Sequence, residues 1–90
     1  MEPLNLTIAQ INPTVGDITG NTEKALGIWK TNAGSDLIIF PELVLSGYPP
    51  EDLVLKPTFL DAIENAVEML CEKSRYLFAA AIITCPCRIN

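Results

Sequence analysis

The feature that most constrains this chain is the run Leu37-Ile38-Ile39-Phe40, apolar without interruption and ended by Pro41-Glu42. A short continuous apolar run marks a strand covered on both faces rather than a half-solvated one. Pro41 fixes its own φ and disfavours helix for Phe40, so the strand gives way to a loop at that point. Such a strand needs neighbours, and two further segments read as strands. From Leu4 to Ile11 the chain alternates at first, Leu4, Leu6 and Ile8 against Asn5, Thr7 and Gln10. From Tyr76 to Thr84 it is again an apolar run, broken by Cys85-Pro86-Cys87.

Between the strands the period changes from 2 to 3.6. Asn12-Pro13 and Gly16-Asp17 mark a loop, after which Asn21 can cap a helix from about Thr22 to Ala33, closed by Gly34-Ser35. Ala25, Ile28 and Trp29 share one face of it. A second helix is predicted from Thr58 to about Lys73, with Thr58 and Asp61 as a capping box. Phe59, Leu60, Ile63, Ala66, Val67 and Leu70 form its apolar stripe, and Asp61, Glu64, Asn65, Glu68 and Glu72 its opposite face. The i,i+4 repulsion among Glu64, Glu68 and Glu72 costs about 0.2–0.5 kcal/mol per pair, which a solvated face tolerates. Cys71, near the edge of the stripe, reads as a small core residue. A short helical turn is expected after Pro50, with Glu51 and Asp52 in its first turn.

The order β-α-β-α-β predicts an α/β fold of parallel strands joined by right-handed crossovers. Two of the three strands look buried on both faces, yet two helices cannot cover both faces of a sheet. The 90 residues are therefore expected to be one part of a single larger domain, with apolar surface left bare in the piece alone.

Composition excludes several functions. The net charge is −5 and the six basic residues are scattered, which argues against a nucleic-acid partner. No histidine is present, so neither a histidine triad nor a histidine-containing metal site exists within the chain. Three cysteines do not suggest a disulfide framework, and Cys85-Pro86-Cys87 without further ligands is a weak metal signal. Met1-Glu2-Pro3-Leu4-Asn5 has no signal-peptide character, and the longest apolar run, Leu77 to Ile83, is far short of a membrane span. A cytoplasmic location without membrane association is the expectation.

Glu42 is the candidate for chemistry. It follows a buried strand by two residues, where open α/β sheets present ligands and where a general base would sit. A solvated strand-end glutamate is the plainer alternative. Tyr48, in the stiff Ser46-Gly47-Tyr48-Pro49-Pro50 loop, offers a ring and a hydroxyl for lining a pocket, against the alternative of a rigid connector. Ser46 has no adjacent base and no nucleophile-elbow pattern. Lys56 is within conceivable reach of Glu42, although a solvent-facing lysine is the simpler reading. Gly16 and Gly20 lack a phosphate-binding spacing.

The residues Ala9-Gln10-Ile11-Asn12-Pro13-Thr14-Val15-Gly16-Asp17, then Asn21, then Asp36-Leu37-Ile38-Ile39-Phe40-Pro41-Glu42-Leu43 resemble the start of the nitrilase, or carbon–nitrogen hydrolase, superfamily. Ser46-Gly47-Tyr48-Pro49-Pro50-Glu51-Asp52-Leu53, with Leu55, Pro57 and Phe59-Leu60, looks like the amidase domain of the glutamine-dependent NAD synthetase family. The resemblance covers nearly the whole chain and weakens after Cys85. It implies a four-layer α-β-β-α sandwich and a Glu-Lys-Cys triad. Glu42 matches the glutamate, the general base toward the cysteine that attacks the side-chain amide of glutamine. The family's lysine and cysteine lie beyond Asn90; Lys56, Lys73, Cys71, Cys85 and Cys87 do not match them. The resemblance further implies a synthetase domain, absent here, that uses ATP and magnesium to amidate deamido-NAD, and a homo-oligomeric whole protein. No cofactor is expected in this segment, and on its own it is expected to be inactive. The alternatives are a stand-alone carbon–nitrogen hydrolase, such as an ω-amidase or carbamoyl-amide hydrolase, and a non-catalytic truncated remnant.

Overall fold

The structure, a computed structural model, describes residues 3–87; Met1 and Glu2, on which part of the N-terminal reading falls, lie outside the described residues. Three short strands, β1 (Leu6–Ile8), β2 (Leu37–Ile39) and β3 (Ala80–Ile82), form a parallel sheet in the order β1-β2-β3. Their register aligns Leu6 with Leu37 and Ala80, Thr7 with Ile38 and Ala81, and Ile8 with Ile39 and Ile82. Backbone bonds from Ala9 N to Ile39 O (2.9 Å) and from Phe40 N to Ile82 O (3.2 Å) carry the pairing one residue further.

Helix α1 (Ile18–Thr31) joins β1 to β2, and α2 (Pro57–Ser74) joins β2 to β3. The strand order steps in one direction, so crossovers of one hand lay both helices on the same face. Their stripes agree with the periodicity: Ala25 and Trp29 from α1, and Phe59, Ile63, Ala66 and Leu70 from α2, are buried against Ala9, Ile38, Phe40 and Ala79 of the sheet side. The indole Nε1 of Trp29 donates to Ala79 O at 2.7 Å, tying α1 to the entry of β3. The acidic face of α2 is exposed, as its pattern requires.

Side chains alternate along a strand, so one row of the register faces the helices and two face away. Thr7, Ile38 and Ala81 point under the helices; Leu6, Ile8 and Ile82 point to the other side, where they are 52%, 70% and 49% exposed. Burial on both faces, expected from the apolar runs, is therefore not what the described residues show. The third strand is also shorter than its run: Tyr76 and Phe78 precede β3 and are 80% and 98% exposed.

Three local expectations are corrected. Asp17, not Asn21, caps α1, its Oδ1 accepting from Gly20 N at 3.1 Å, and Asn21 lies fully buried in the first turn. Lys56 occupies the N-cap position of α2 with Pro57 at the first helical position, so Thr58 and Asp61 form no capping box. Cys71 is exposed rather than a core residue. The turn after Pro50 forms as expected, a 3₁₀ helix over Glu51–Leu55.

Candidate active site

Parallel strands deliver their following loops to one edge of the sheet, and here three loops meet there. The loop after β1 runs to Asp17, the loop after β2 carries Glu42, and the segment after β3 carries Thr84. A concavity of about 480 Å³ at the carboxyl ends of β1 and β2 is lined by residues 8–12 and 39–41, ending at the residue before Glu42. Glu42 itself is exposed and Leu43 half-buried, while Val44, Leu45, Ser46 and Gly47 are buried. Burial of Val44 and Leu45, each about 1.5–3 kcal/mol relative to exposure, anchors the loop directly behind the carboxylate.

A buried loop must find partners for its backbone. Asn21, though it caps nothing, supplies several: its Nδ2 donates to Leu45 O (3.0 Å) and to Thr14 O (2.8 Å), and its Oδ1 accepts from Thr14 N (2.8 Å). Gly16 N donates to Ser46 O at 2.8 Å. Gly47, at φ +78°, lies so close to the first loop that a Cβ there would stand 2.6 Å from Val15 Cα and 2.7 Å from Val15 N. Both the left-handed backbone and the absence of a side chain are therefore required. Gly47 N donates to Leu43 O at 2.9 Å, and Ser46 Oγ donates to Gly47 O (3.0 Å) and Leu43 O (3.3 Å). The Ser46 hydroxyl is thereby committed to holding the loop.

Leu43 is the strained residue of the site, a bulky side chain at φ +52° directly after Glu42. Its N–H donates to Thr84 Oγ1 at 2.8 Å, across 41 residues of sequence. The Glu42 loop is thus tied toward β1 through Asn21, Gly16 and Gly47, and toward β3 through Thr84.

The other candidates fall around this core. Tyr48 is 63% exposed, ahead of a cis peptide bond to Pro49, and is not among the residues lining the 480 Å³ concavity. Lys56 is exposed at the start of α2, and among the described residues no ion pair joins it to Glu42. Cys71 and Cys85 line a separate groove of about 500 Å³ between α2 and β3, where burial, and secondarily the neighbouring Cys87, pushes the Cys85 thiol pKa up. A raised pKa lowers the thiolate fraction and suits no nucleophile. Among the described residues no group of three or more His, Cys, Asp or Glu is placed to hold a metal ion. No described helix is long and apolar enough to cross a membrane.

No family model matches the chain. The glutamine-dependent NAD(+) synthetase of Aquifex aeolicus is 52% identical over 73 residues, covering 80% of this chain and 13% of that protein. The enzyme of the same name from Thermotoga maritima is 44% identical over 79 residues, covering 86% of this chain and 14% of its own length. The chain is homologous to the glutamine-dependent NAD(+) synthetases. Among solved structures, that of Cytophaga hutchinsonii glutamine-dependent NAD(+) synthetase superposes with a TM-score of 0.77 over 96% of this chain at 27% identity, covering 15% of that chain. The Acinetobacter baumannii enzyme, solved with ADP, superposes with a TM-score of 0.72 over 77% of this chain at 38% identity, covering 14% of that chain. The chain thus spans about one seventh of the length of the relatives it matches.

Proposed function

We propose that this segment is the N-terminal part of the carbon–nitrogen hydrolase (glutaminase) domain of a glutamine-dependent NAD(+) synthetase, and that Glu42 is its general base. The observation that carries the reading is the placement of Glu42. It is an exposed carboxylate at the carboxyl edge of a parallel sheet, on a loop whose following residues are buried and bonded to both neighbouring loops. A solvated strand-end glutamate needs no such scaffold.

On this reading Glu42 accepts the thiol proton of a cysteine outside the segment, and the thiolate adds to the side-chain amide carbon of glutamine. The C–N bond breaks, ammonia leaves with the returned proton, and a thioester remains. Water then adds to the thioester and releases glutamate. A lysine, also outside the segment, completes the triad. The open apolar face of the sheet supports the four-layer α-β-β-α sandwich, in which a second sheet covers Leu6, Ile8 and Ile82. Tyr48 is assigned to the rim of the glutamine site.

The ammonia serves the amidation of deamido-NAD, whose ATP-activated carboxylate loses AMP. The ATP and magnesium of that step belong to a synthetase domain outside this segment. The residues described here do not fit them, lacking both a carboxylate cluster and a phosphate-loop glycine spacing. Soluble cytoplasmic homo-oligomers are the expected state of the whole protein, and the 90-residue chain alone is expected to release no ammonia from glutamine.

The test is glutamine hydrolysis by the full-length protein carrying this segment. Glu42→Gln is expected to lower kcat about 10²–10⁴-fold, the range of a lost general base. Unchanged hydrolysis would end the assignment of Glu42. Glutamine hydrolysis without any NAD formation would favour a stand-alone amidase instead.

A further inference from the structure

Resting on the assignment of Glu42 as general base, we propose that Thr84 is a positioning residue for that base, acting through the backbone of Leu43. Leu43 holds a left-handed conformation, φ +52°, that a leucine adopts only when its surroundings impose it. That conformation sets the direction in which the chain leaves Glu42, and so where the carboxylate stands. Two of the bonds that hold Leu43 are made within its own loop, from Gly47 N and Ser46 Oγ to Leu43 O. These move with the loop and fix its internal shape.

The bond from Leu43 N to Thr84 Oγ1 is different in kind. It crosses to the segment after β3 and ties the position of Leu43 to the sheet. Phe40 N donating to Ile82 O brings the same two segments together just below it. Together they span Glu42, with Phe40 fixed two residues before it and Leu43 one residue after. The Thr84 hydroxyl is therefore the one side-chain group among the described hydrogen bonds that joins the residue following Glu42 to the segment after β3. It makes no contact with substrate on this account.

The consequence is a split between catalysis and everything else. Without the hydroxyl, Leu43 can relax toward negative φ and carry Glu42 with it. Displacement of a reacting group by about 1 Å can cost 10²-fold in rate. The synthetase reaction with supplied ammonia does not use Glu42 and is not affected.

The experiment uses the full-length protein carrying this segment, with glutamine hydrolysis and ammonia-dependent NAD formation measured side by side. Thr84→Val is expected to lower kcat for glutamine about 10- to 100-fold, with KM within about twofold and ammonia-dependent synthesis unchanged. Thr84→Ser, which keeps the hydroxyl, is expected to restore kcat. Thr84→Val with kcat within about twofold of the parent, while Glu42→Gln abolishes hydrolysis, would overturn the proposal and leave the base assignment standing. Glu42→Gln with full activity would overturn both. Ammonia-dependent synthesis at the parent level shows that a variant folds; where Thr84→Val fails that check, Thr84→Ala, which also removes the hydroxyl, is read in its place with the same expected loss in kcat and the same overturning result.

Discussion

On one side of the sheet Ile38 is fully buried beneath two helices; on the other, Ile8, one residue along the register on the neighbouring strand, is 70% exposed. Both are isoleucines of adjacent parallel strands, so side-chain chemistry does not explain the difference. The difference lies in what the segment contains. Strand order β1-β2-β3 with one hand of crossover puts both helices on one face and leaves none for the other. The helix face is therefore a finished interior, and the bare face, with Leu6 and Ile82 beside Ile8, has the composition of an interior without its cover. The carboxyl-edge loops belong to the finished part: their buried backbone is bonded within the segment through Asn21, Gly16, Gly47 and Thr84.

Substitutions on the two faces are expected to have very different effects. The largest effect is expected on the finished face, where Ile38→Ala leaves a cavity and costs about 2–5 kcal/mol, read as a lowered denaturant midpoint. A cost below about 1 kcal/mol would mean that the helices do not seal Ile38. Next is Gly47→Ala, which meets both a left-handed backbone and the Val15 main chain at 2.6 Å. It is expected to cost about 1–3 kcal/mol and, in the full-length protein, to lower glutamine turnover more than ammonia-dependent NAD formation. Equal losses in the two activities would place its effect on the fold rather than on the Glu42 loop. The smallest effect belongs to the bare face. In the isolated 90-residue chain, Ile8→Ser is expected to change stability by no more than about 0.5 kcal/mol. In the full-length protein the same substitution is expected to cost at least about 1.5 kcal/mol, as for a covered side chain. Equal effects in the two contexts would remove the second layer from the account.

Much of the finished face is legible in the sequence. The stripes Ala25-Ile28-Trp29 and Phe59-Ile63-Ala66-Leu70 recur at helical spacing, and spacing is a local property that a chain displays openly. The apolar runs were also readable, but they report only that a residue is buried somewhere in the complete protein. This is why Phe78 and Ile8 look like core in sequence and stand exposed in the segment. Asn21 shows the limit of local reading in another way. An asparagine four residues after Asp17 satisfies the pattern of a cap, yet its amide bonds to Leu45, 24 residues away, and the nearer aspartate caps the helix. Cys71 fails similarly, since the margin of an apolar stripe does not reveal on which side of the margin a residue falls.

The candidate site divides along the same line. The position of Glu42 after a strand and the need for a glycine at 47 follow from local sequence. That Gly47 rests against Val15, and that Leu43 is held by Thr84 across 41 residues, depends on loops distant in sequence being brought to one sheet edge, and a threonine after a strand carries no signal of it.

On the proposed function Glu42 serves as the base of a glutamine-hydrolysing site and of nothing else. The most direct measurement is NAD formation by the full-length Glu42→Gln protein with glutamine and, separately, with ammonia as nitrogen donor. Glutamine-dependent formation is expected to fall at least about 10²-fold while ammonia-dependent formation stays at the level of the unsubstituted protein. Glutamine-dependent formation that persists at the unsubstituted level, or a parallel loss with both donors, would contradict it.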